Sequence, residues 1–201
     1  MARGDVIVRT ARREDAEALV RMWGELREGT RTLDRVSPVP TLRGVHERLD
    51  AAEADPDIRI LVAELEGHVA GMAVLTHQPY AVLFDVRSVH LHFVHVRAEC
   101  RRRGVGHALV AAATAYADEV GADQLMTTTL PQTRDENRFF ARLGFAPVVI
   151  RRSAAVATVR RRLAADAGAV GAVEDLLARR RSLRSRARLR LAGSGLAGGG
   201  D

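Results

Sequence analysis

The segment from Val94 to Gly106, with the sequence VHVRAECRRRGVG, restricts the possible folds of this chain more than any other part. It begins with residues that favour a strand and continues as an arginine-containing loop with two glycines, Gly104 and Gly106. An alanine-rich stretch that favours a helix follows at once. The first turn of a helix leaves backbone N–H groups without partners, and glycines let an anion approach them. The junction therefore predicts an α/β fold with a phosphate-binding site.

The patterns on either side of this junction predict one α/β domain with a mixed sheet. Strand patterns cover residues 5–10, 58–65, 69–76, 88–96, 124–130, 146–152 and 154–159. Helical patterns cover residues 13–27, 41–54, 104–120, 136–143 and 166–191. The dipeptide Glu66-Gly67 lies between two strand patterns and predicts a hairpin turn.

Length and composition favour a cytoplasmic protein without disulfides. The 201 residues suffice for one domain and a short appendage. The single cysteine, Cys100, forms no internal disulfide and fits a reducing compartment. No apolar run is long enough for a membrane span, and residues 1–8 do not resemble a secretion signal. The seven histidines lack metal-ligand spacing, so no metal site is expected.

Arginine supplies the basic charge and is concentrated towards the C-terminus. Residues 151–190 contain 12 arginines and 3 acidic residues, whereas residues 1–150 contain 19 arginines and 21 acidic residues. We therefore expect a domain over residues 1–162 and an arginine-rich extension over residues 163–201, helical or partly disordered. The extension is a weak candidate for binding nucleic acid or an acidic partner, because no aromatic residues interleave with its arginines. A solvated extension is the favoured interpretation.

Two motifs carry a resemblance to a known family. The first is Val94-His95-Val96 followed by Arg101-x-x-Gly104-x-Gly106 and a helix, and the second is Asn137-Arg-Phe-Phe-Ala-Arg-Leu-Gly144-Phe145. In this order they resemble the acyl-CoA-binding elements of the GNAT superfamily of N-acetyltransferases. The resemblance implies a mixed, mostly antiparallel central sheet that is flanked by helices and has splayed central strands. It also implies transfer of an acetyl group from acetyl-CoA to an amine acceptor by direct attack, with a homodimer as a possible assembly.

The resemblance assigns the binding of acetyl-CoA to these two motifs. Strand residues 94–96 would pair with the pantetheine arm and the thioester oxygen, and backbone N–H groups of residues 102–107 would hold the diphosphate. The residues expected at this site are Val94, His95, Val96, Arg101, Arg102, Arg103, Gly104, Val105, Gly106, His107, Asn137 and Phe140.

Two positions depart from the pattern of the family. The asparagine that the family often carries before its closing helix would fall at Gln132 or Thr133 in this sequence. Asn137 therefore lies at an unusual position relative to the family pattern. Phe140 occupies a position that often carries a tyrosine, whose hydroxyl protonates the departing thiolate. Phenylalanine has no proton to donate, and Tyr80 or water could serve instead.

The strand before the arginine loop contains three histidines, His90, His92 and His95. Alternation along a strand predicts His90 and His92 on one face of the sheet and His95 on the other. His90 matches the position at which some GNAT members carry a glutamate base, and a histidine titrates close to neutral pH. His90 and His92 are therefore the candidate catalytic bases, with Asp85 and Glu64 as weaker alternatives.

Two further functional classes stay open. The missing hydroxyl at Phe140 and the basic extension are compatible with a catalytically weak acyl-CoA-binding module that regulates a partner. A nucleic-acid-associated protein with a vestigial transferase fold is the third interpretation. If the chain does transfer an acetyl group, acceptor specificity is expected to come from loops at residues 28–40 and 76–87.

Overall fold

Five β-strands of the described residues form one sheet. The computed structural model describes residues 5–28, 40–81, 84–129, 133–149 and 152–165, with the backbone alone at residues 80, 81, 84 and 85. The strands are β1 (Val6–Thr10), β2 (Ile58–Leu65), β3 (His68–Ala81), β4 (Phe84–Val96) and β5 (Gln124–Thr127). Their order in the sheet follows the sequence, and all neighbours are antiparallel except the parallel pair of β4 and β5. The predicted mixed, mostly antiparallel sheet is confirmed.

Helices cover both faces of this sheet. They are α1 (Ala16–Glu28), α2 (Leu42–Ala54), α3 (Val105–Glu119) and α4 (Arg134–Arg142), with a 3₁₀ turn at Arg13–Asp15 before α1. α3 connects the parallel strands β4 and β5, which need a crossover because both run in the same direction. The hydroxyl of Thr41 caps α2 by accepting a hydrogen bond from Gly44 N at 3.1 Å. The first four of the five predicted helices are confirmed, with ends that differ by a few residues.

The turn between β2 and β3 fixes the register of these strands. Glu66 and Gly67 have φ angles of 55° and 78°, and such a pair of positive values is typical of a type I′ hairpin turn. Glycine adopts this conformation without steric cost. The turn places Leu65 opposite His68 and so aligns the whole ladder between the two strands. The predicted hairpin is confirmed.

Alternation of side chains along the strands divides the core into two clusters. Leu61 and Ala63 of β2 point to the face that α3 covers, where they pack in one cluster with Leu109. Val62 points to the opposite face and packs in a second cluster with Leu19 of α1, which covers that face together with α2. Each fully buried leucine contributes about 1.5–3 kcal/mol through removal of apolar surface from water. The two clusters hold helices on both sides of the sheet.

β3 and β4 continue as a two-stranded ribbon beyond their neighbours in the sheet. The pairing of β3 with β2 ends at Thr76, whereas the pairing of β3 with β4 continues to Ala81. The expected loop over residues 76–87 is therefore wrong for the described part of that segment. Pro79 lies within the ribbon, and a strand tolerates proline where one of its edges has no neighbouring strand.

The two predicted closing strands, at residues 146–152 and 154–159, are wrong where they are described. Residues 145–149 have no regular secondary structure, and residues 156–165 form a helix, α5. The valines that suggested strands also fit helical spacing, and the alanines and arginines around them favour a helix. A short apolar run by itself does not distinguish the two kinds of structure.

The chain divides into two units, Met1–Val148 and Val149–Asp201. The sheet and α1 to α4 belong to the first unit, and α5 belongs to the second. The predicted boundary after residue 162 stays a prediction. The predicted helix over residues 166–191 and the arginine-rich extension lie outside the described residues, except for residues 163–165 at the end of α5.

A half-buried ion-pair network joins β1, β2 and the 3₁₀ turn. Asp15 is 4% exposed, and its carboxylate accepts two hydrogen bonds from Arg9 at 2.7 and 2.9 Å and one from Arg12 N at 2.7 Å. Arg9 Nε also donates to Glu64 at 2.8 Å, so this weaker candidate base is already engaged in the network. Burial by itself would raise the pKa of Asp15, but the hydrogen bonds and the charge of Arg9 lower that pKa.

Candidate functional site

The parallel strands β4 and β5 separate after a short ladder. Their pairing covers only Ser88–Leu91 of β4, although β4 continues to Val96. On the opposite edge, Arg97 N donates a hydrogen bond to Ala70 O at 3.0 Å. Because backbone groups alternate between the two edges of a strand, the N–H and C=O groups of Val94 and Val96 point to the side of β5. These groups face a gap, and the predicted splayed strands are confirmed.

The loop from β4 to α3 offers backbone N–H groups beside this gap. The first hydrogen bond within α3 joins Ala108 N to Gly104 O at 3.0 Å, so the N–H groups of residues 105–107 have no acceptor inside the helix. Arg102 and Gly104 have positive φ angles of 61° and 94°. A Cβ on Gly104 would have no atom within 4 Å, which leaves open space at the helix start. This junction fits an anionic diphosphate.

Aromatic rings pack α4 against the start of α3. A Cβ on Gly106 would lie 3.4 Å from the ring of Phe139, and the ring of His107 lies 5.1 Å from the same ring between centroids. Phe140 is only 3% exposed and packs between Phe139 and Phe145, with centroid distances of 5.1 and 5.2 Å. Phe140 therefore contributes to the packing of α4 and brings no polar group to the gap.

The three arginines of the loop differ in their availability to a ligand. Arg103 is paired with Glu66. Arg101 is exposed and donates from Nε to Val96 O at 3.3 Å, and Arg102 is exposed as well. Arg101 and Arg102 can therefore attract phosphate groups, whereas the charge of Arg103 is partly neutralised.

All three histidines of β4 lie on the face of the sheet that α1 covers. His95 pairs with Met72 and His92 pairs with Val74, and directly paired residues of antiparallel strands point to the same face. Met72 packs in the cluster with α1 and α2. A β-bulge near Phe93, which has a φ of 52°, inserts one residue between the two histidines. The predicted position of His95 on the other face is therefore wrong, because a bulge interrupts strict alternation.

His90 and His92 form a polar row with two hydroxyl groups. His92 Nε2 lies 3.1 Å from Thr76 Oγ1, and His90 Nε2 lies 3.1 Å from Ser88 Oγ. The two rings stack with centroids 5.7 Å apart, which confirms that they share one face. Both residues are half-buried.

The side chain of His95 connects β4 to α1. His95 is 8% exposed, and its Nε2 lies 2.9 Å from Glu25 Oε2, while Arg97 Nε lies 3.4 Å from Glu25 Oε1. The hydrogen bond with His95 lowers the pKa of Glu25, the charge of Arg97 adds to this effect, and burial opposes it. The sequence does not indicate a role for Glu25, because it is 70 residues from His95 and no motif marks the pair.

Asn137 is held in a local network at the start of α4. Its Nδ2 donates to Thr133 O at 2.9 Å, and its Oδ1 accepts from Thr129 Oγ1 at 2.8 Å. Burial raises the pKa of the neighbouring Glu136, although a hydrogen bond with Thr133 opposes that effect. The sequence does not distinguish Glu136 from other acidic residues, because a carboxylate near the start of a helix is ordinary.

Several predicted alternatives lie outside the described residues. They are Gln132, the side chains of Tyr80 and Asp85, and most of the expected loop at residues 28–40. Within the described part of the chain, no helix is long and apolar enough to cross a membrane. Within the same part, no three His, Cys, Asp or Glu side chains are grouped as they would be around a metal ion.

The fold and the junction define an α/β protein that can hold a phosphate-bearing ligand between β4 and α3. Residues 23–145 match the Acetyltransferase (GNAT) family. The match covers more than half of the chain, so the chain belongs to the GNAT acetyltransferases, and acetyl transfer is its general class of activity. The predicted family is confirmed, whereas the homodimer, the cytoplasmic location and an acidic or nucleic-acid partner stay predictions.

Solved structures with the same fold include proteins with different descriptions. A transcriptional regulator from Bacillus halodurans is 25% identical, with a TM-score of 0.64, and the alignment covers 75% of this chain and 99% of that one. Glucosamine-6-phosphate N-acetyltransferase from Arabidopsis thaliana is 16% identical, with a TM-score of 0.62 and coverage of 76% and 99%. An aminoglycoside N-acetyltransferase in complex with CoA is 18% identical, with a TM-score of 0.60 and coverage of 76% and 97%. No curated protein matches the sequence.

Proposed function

We propose that this chain is an N-acetyltransferase that moves the acetyl group of acetyl-CoA to an amine by direct attack. The observation that carries the proposal is the gap between β4 and β5 beside the start of α3. The gap offers backbone donors and acceptors to an amide-containing arm, and the helix start attracts a diphosphate. Membership in the acetyltransferase family supports the same reaction.

The proposed binding mode relies mainly on the backbone. N–H groups of residues 102–107 hold the diphosphate, and the exposed guanidinium groups of Arg101 and Arg102 attract it. Backbone groups of Val94 and the N–H group of Val96 pair with the pantetheine arm. A strand N–H aimed at the thioester oxygen would also stabilise the negative charge that develops on that oxygen during attack.

The attacking amine must lose a proton, and in the proposed reaction His90 accepts it. Ser88 Oγ donates its proton to Gln78 O at 2.8 Å, so the same oxygen accepts the Nε2 proton of a neutral His90. This tautomer is assigned from the hydrogen bonds. His92 lies on the same face and is the second candidate base.

The C–S bond of the thioester breaks after attack, and the sulfur leaves as a thiolate. Phe140 cannot protonate this thiolate, so the proposed reaction uses water as the proton donor. The same substitution favours a second candidate function, a catalytically weak acyl-CoA-binding module. The two candidates share the binding site and differ only in turnover.

Two measurements separate these candidates. Acetyl-CoA should raise the melting temperature under both, because a ligand that binds the native state stabilises it. Release of free CoA thiol in the presence of an amine panel is expected only for the enzyme. His90→Ala should then lower turnover by about 10²–10⁴-fold and leave the acetyl-CoA-induced shift unchanged. If acetyl-CoA fails to stabilise the chain, neither function stands.

Two glycines provide a matched test of the binding site. Gly104 and Gly144 have similar φ angles of 94° and 91°, and a Cβ on either would have no atom within 4 Å. Alanine should therefore cost a similar amount of stability at both positions. Only Gly104→Ala places a methyl group beside the N–H groups of α3, so it should weaken acetyl-CoA binding about tenfold while Gly144→Ala leaves the affinity unchanged. Equal affinities of the two variants would refute the proposed diphosphate site.

A further inference from the structure

Phe93 at the β-bulge is placed unusually for a phenylalanine. Its φ is 52°, a left-handed conformation that bulky residues rarely adopt, and its side chain is 38% exposed. The ring packs on Trp23 with centroids 4.5 Å apart, but part of it stays open to solvent. Backbone outliers of this kind concentrate at functional sites.

The ring of Phe93 belongs to a continuous row of rings on the α1 face. The His90 and His92 rings stack 5.7 Å apart, and the Phe93 ring follows with its centroid 6.0 Å from that of His92. The indole of Trp23 on α1 lies 4.5 Å from the Phe93 ring. The row therefore leads from the candidate bases to an apolar surface formed by Phe93 and Trp23.

Glu25, the carboxylate that the described residues place near this row, does not favour a polycation. Glu25 lies on α1 close to Trp23 in sequence, but its carboxylate already contacts His95 and Arg97. A carboxylate that is paired in this way attracts an additional cation only weakly. The features that distinguish this surface are aromatic rings rather than negative charge.

We infer that Phe93 and Trp23 form the acceptor platform, which holds a primary amine carried on an aromatic ring with its nitrogen beside His90 and His92. The inference rests on the proposed acetyl transfer and names its substrate class. The acceptor ring stacks on the open face of Phe93, while Trp23 supports Phe93 from α1. Aromatic pairs of this kind favour an aromatic acceptor over an aliphatic one by about tenfold.

Matched amines and matched variants test the platform. The ratio of kcat/KM for 2-phenylethylamine to that for butylamine is measured in the whole chain with acetyl-CoA. We expect a ratio of about ten, which falls to about one in Phe93→Leu, because leucine keeps the apolar volume and removes the ring. Phe93→Ala serves as a second variant. Ile7→Ala, which changes an exposed apolar side chain of β1, should leave the ratio unchanged. A wild-type ratio near one, or a high ratio that survives in Phe93→Leu, overturns the platform.

Tryptophan fluorescence tests the platform independently of turnover. Trp23 is the single tryptophan of the chain, so its emission reports directly on this surface. 2-Phenylethylamine should change the emission in a saturable manner, whereas butylamine should not. If no amine is acetylated but this selective change occurs, the proposed transfer fails and the platform stands. If amines are acetylated without any selective change, the platform fails and the proposed transfer stands.

Discussion

Replacement of Gly71 by alanine tests how closely α3 packs on the sheet. Gly71 lies in β3 opposite Val96, close to the gap between β4 and β5. A Cβ on Gly71 would lie 2.9 Å from His95 O and 2.9 Å from Val105 Cγ1. The carbonyl belongs to the backbone of β4, and Val105 is buried, so neither atom can move aside unless the strand or the helix shifts.

The expected loss of stability follows from two opposing effects. Overpacking of a well-packed core costs about 1–3 kcal/mol, and two simultaneous contacts below 3 Å place Gly71→Ala towards the upper end. Alanine has a lower conformational entropy than glycine in the unfolded chain, which raises the free energy of unfolding by about 0.5–1 kcal/mol. The free energy of unfolding should therefore fall by about 2 kcal/mol, which corresponds to a decrease of about 4–8 °C in melting temperature for a chain of this length.

Gly24→Ala is the matched control, because it makes the same substitution where space is available. Gly24 lies inside α1, and no atom is found within 4 Å of its added Cβ. Alanine in a helix interior should raise the free energy of unfolding by about 0.5–1 kcal/mol. Urea denaturation of both variants measures the difference. If Gly71→Ala is as stable as the wild type, the close approach of α3 to β3 is wrong.

Two further predictions concern charged side chains. Asp15→Asn should lower the free energy of unfolding by about 2–3 kcal/mol, less than for a fully buried pair because Arg9 keeps a second partner; a urea midpoint equal to that of the wild type would contradict this. The pKa of Glu25 is lowered in the folded state, so its ionised carboxylate stabilises the fold. This stabilisation is present above the unfolded pKa of about 4.3 and is lost as the pH falls through the lower folded pKa. In Glu25→Gln, the free energy of unfolding should therefore fall less steeply with decreasing pH below about pH 4.3 than in the wild type. The same pH dependence in both proteins would count against the contact with His95.

Local signals in the sequence predicted most of the sheet. The strand at residues 58–65 was predicted with its observed ends, because Pro56 precedes it and the Glu66-Gly67 turn follows it. The start of α3 was predicted at Gly104, one residue before the observed start, since a glycine loop followed by alanines has few alternatives. These features depend on residues that are adjacent in the chain, and short-range rules describe such residues well.

The closing strands failed because their pattern is ambiguous at short range. Val156, Val159 and Leu163 fit one side of a helix as well as they fit an apolar strand, and α5 contains all three. In α5 these side chains are exposed rather than packed. An apolar run of this length predicts a strand only when a neighbouring strand is available to pair with it, and the sequence does not contain that information.

The candidate site could be predicted only in part because it depends on the β-bulge near Phe93. Without the extra residue, strict alternation would turn His95 towards α3, as the sequence suggested, and its contact with Glu25 could not form. The bulge reverses the faces of the residues after it, so Val94 joins the α3 cluster while His95 joins α1. The same bulge lies just after Leu91, where the ladder with β5 ends. A single inserted residue therefore accompanies both the separation of β4 from β5 and the alignment of the three histidines on one face. No residue type in the sequence predicts this bulge.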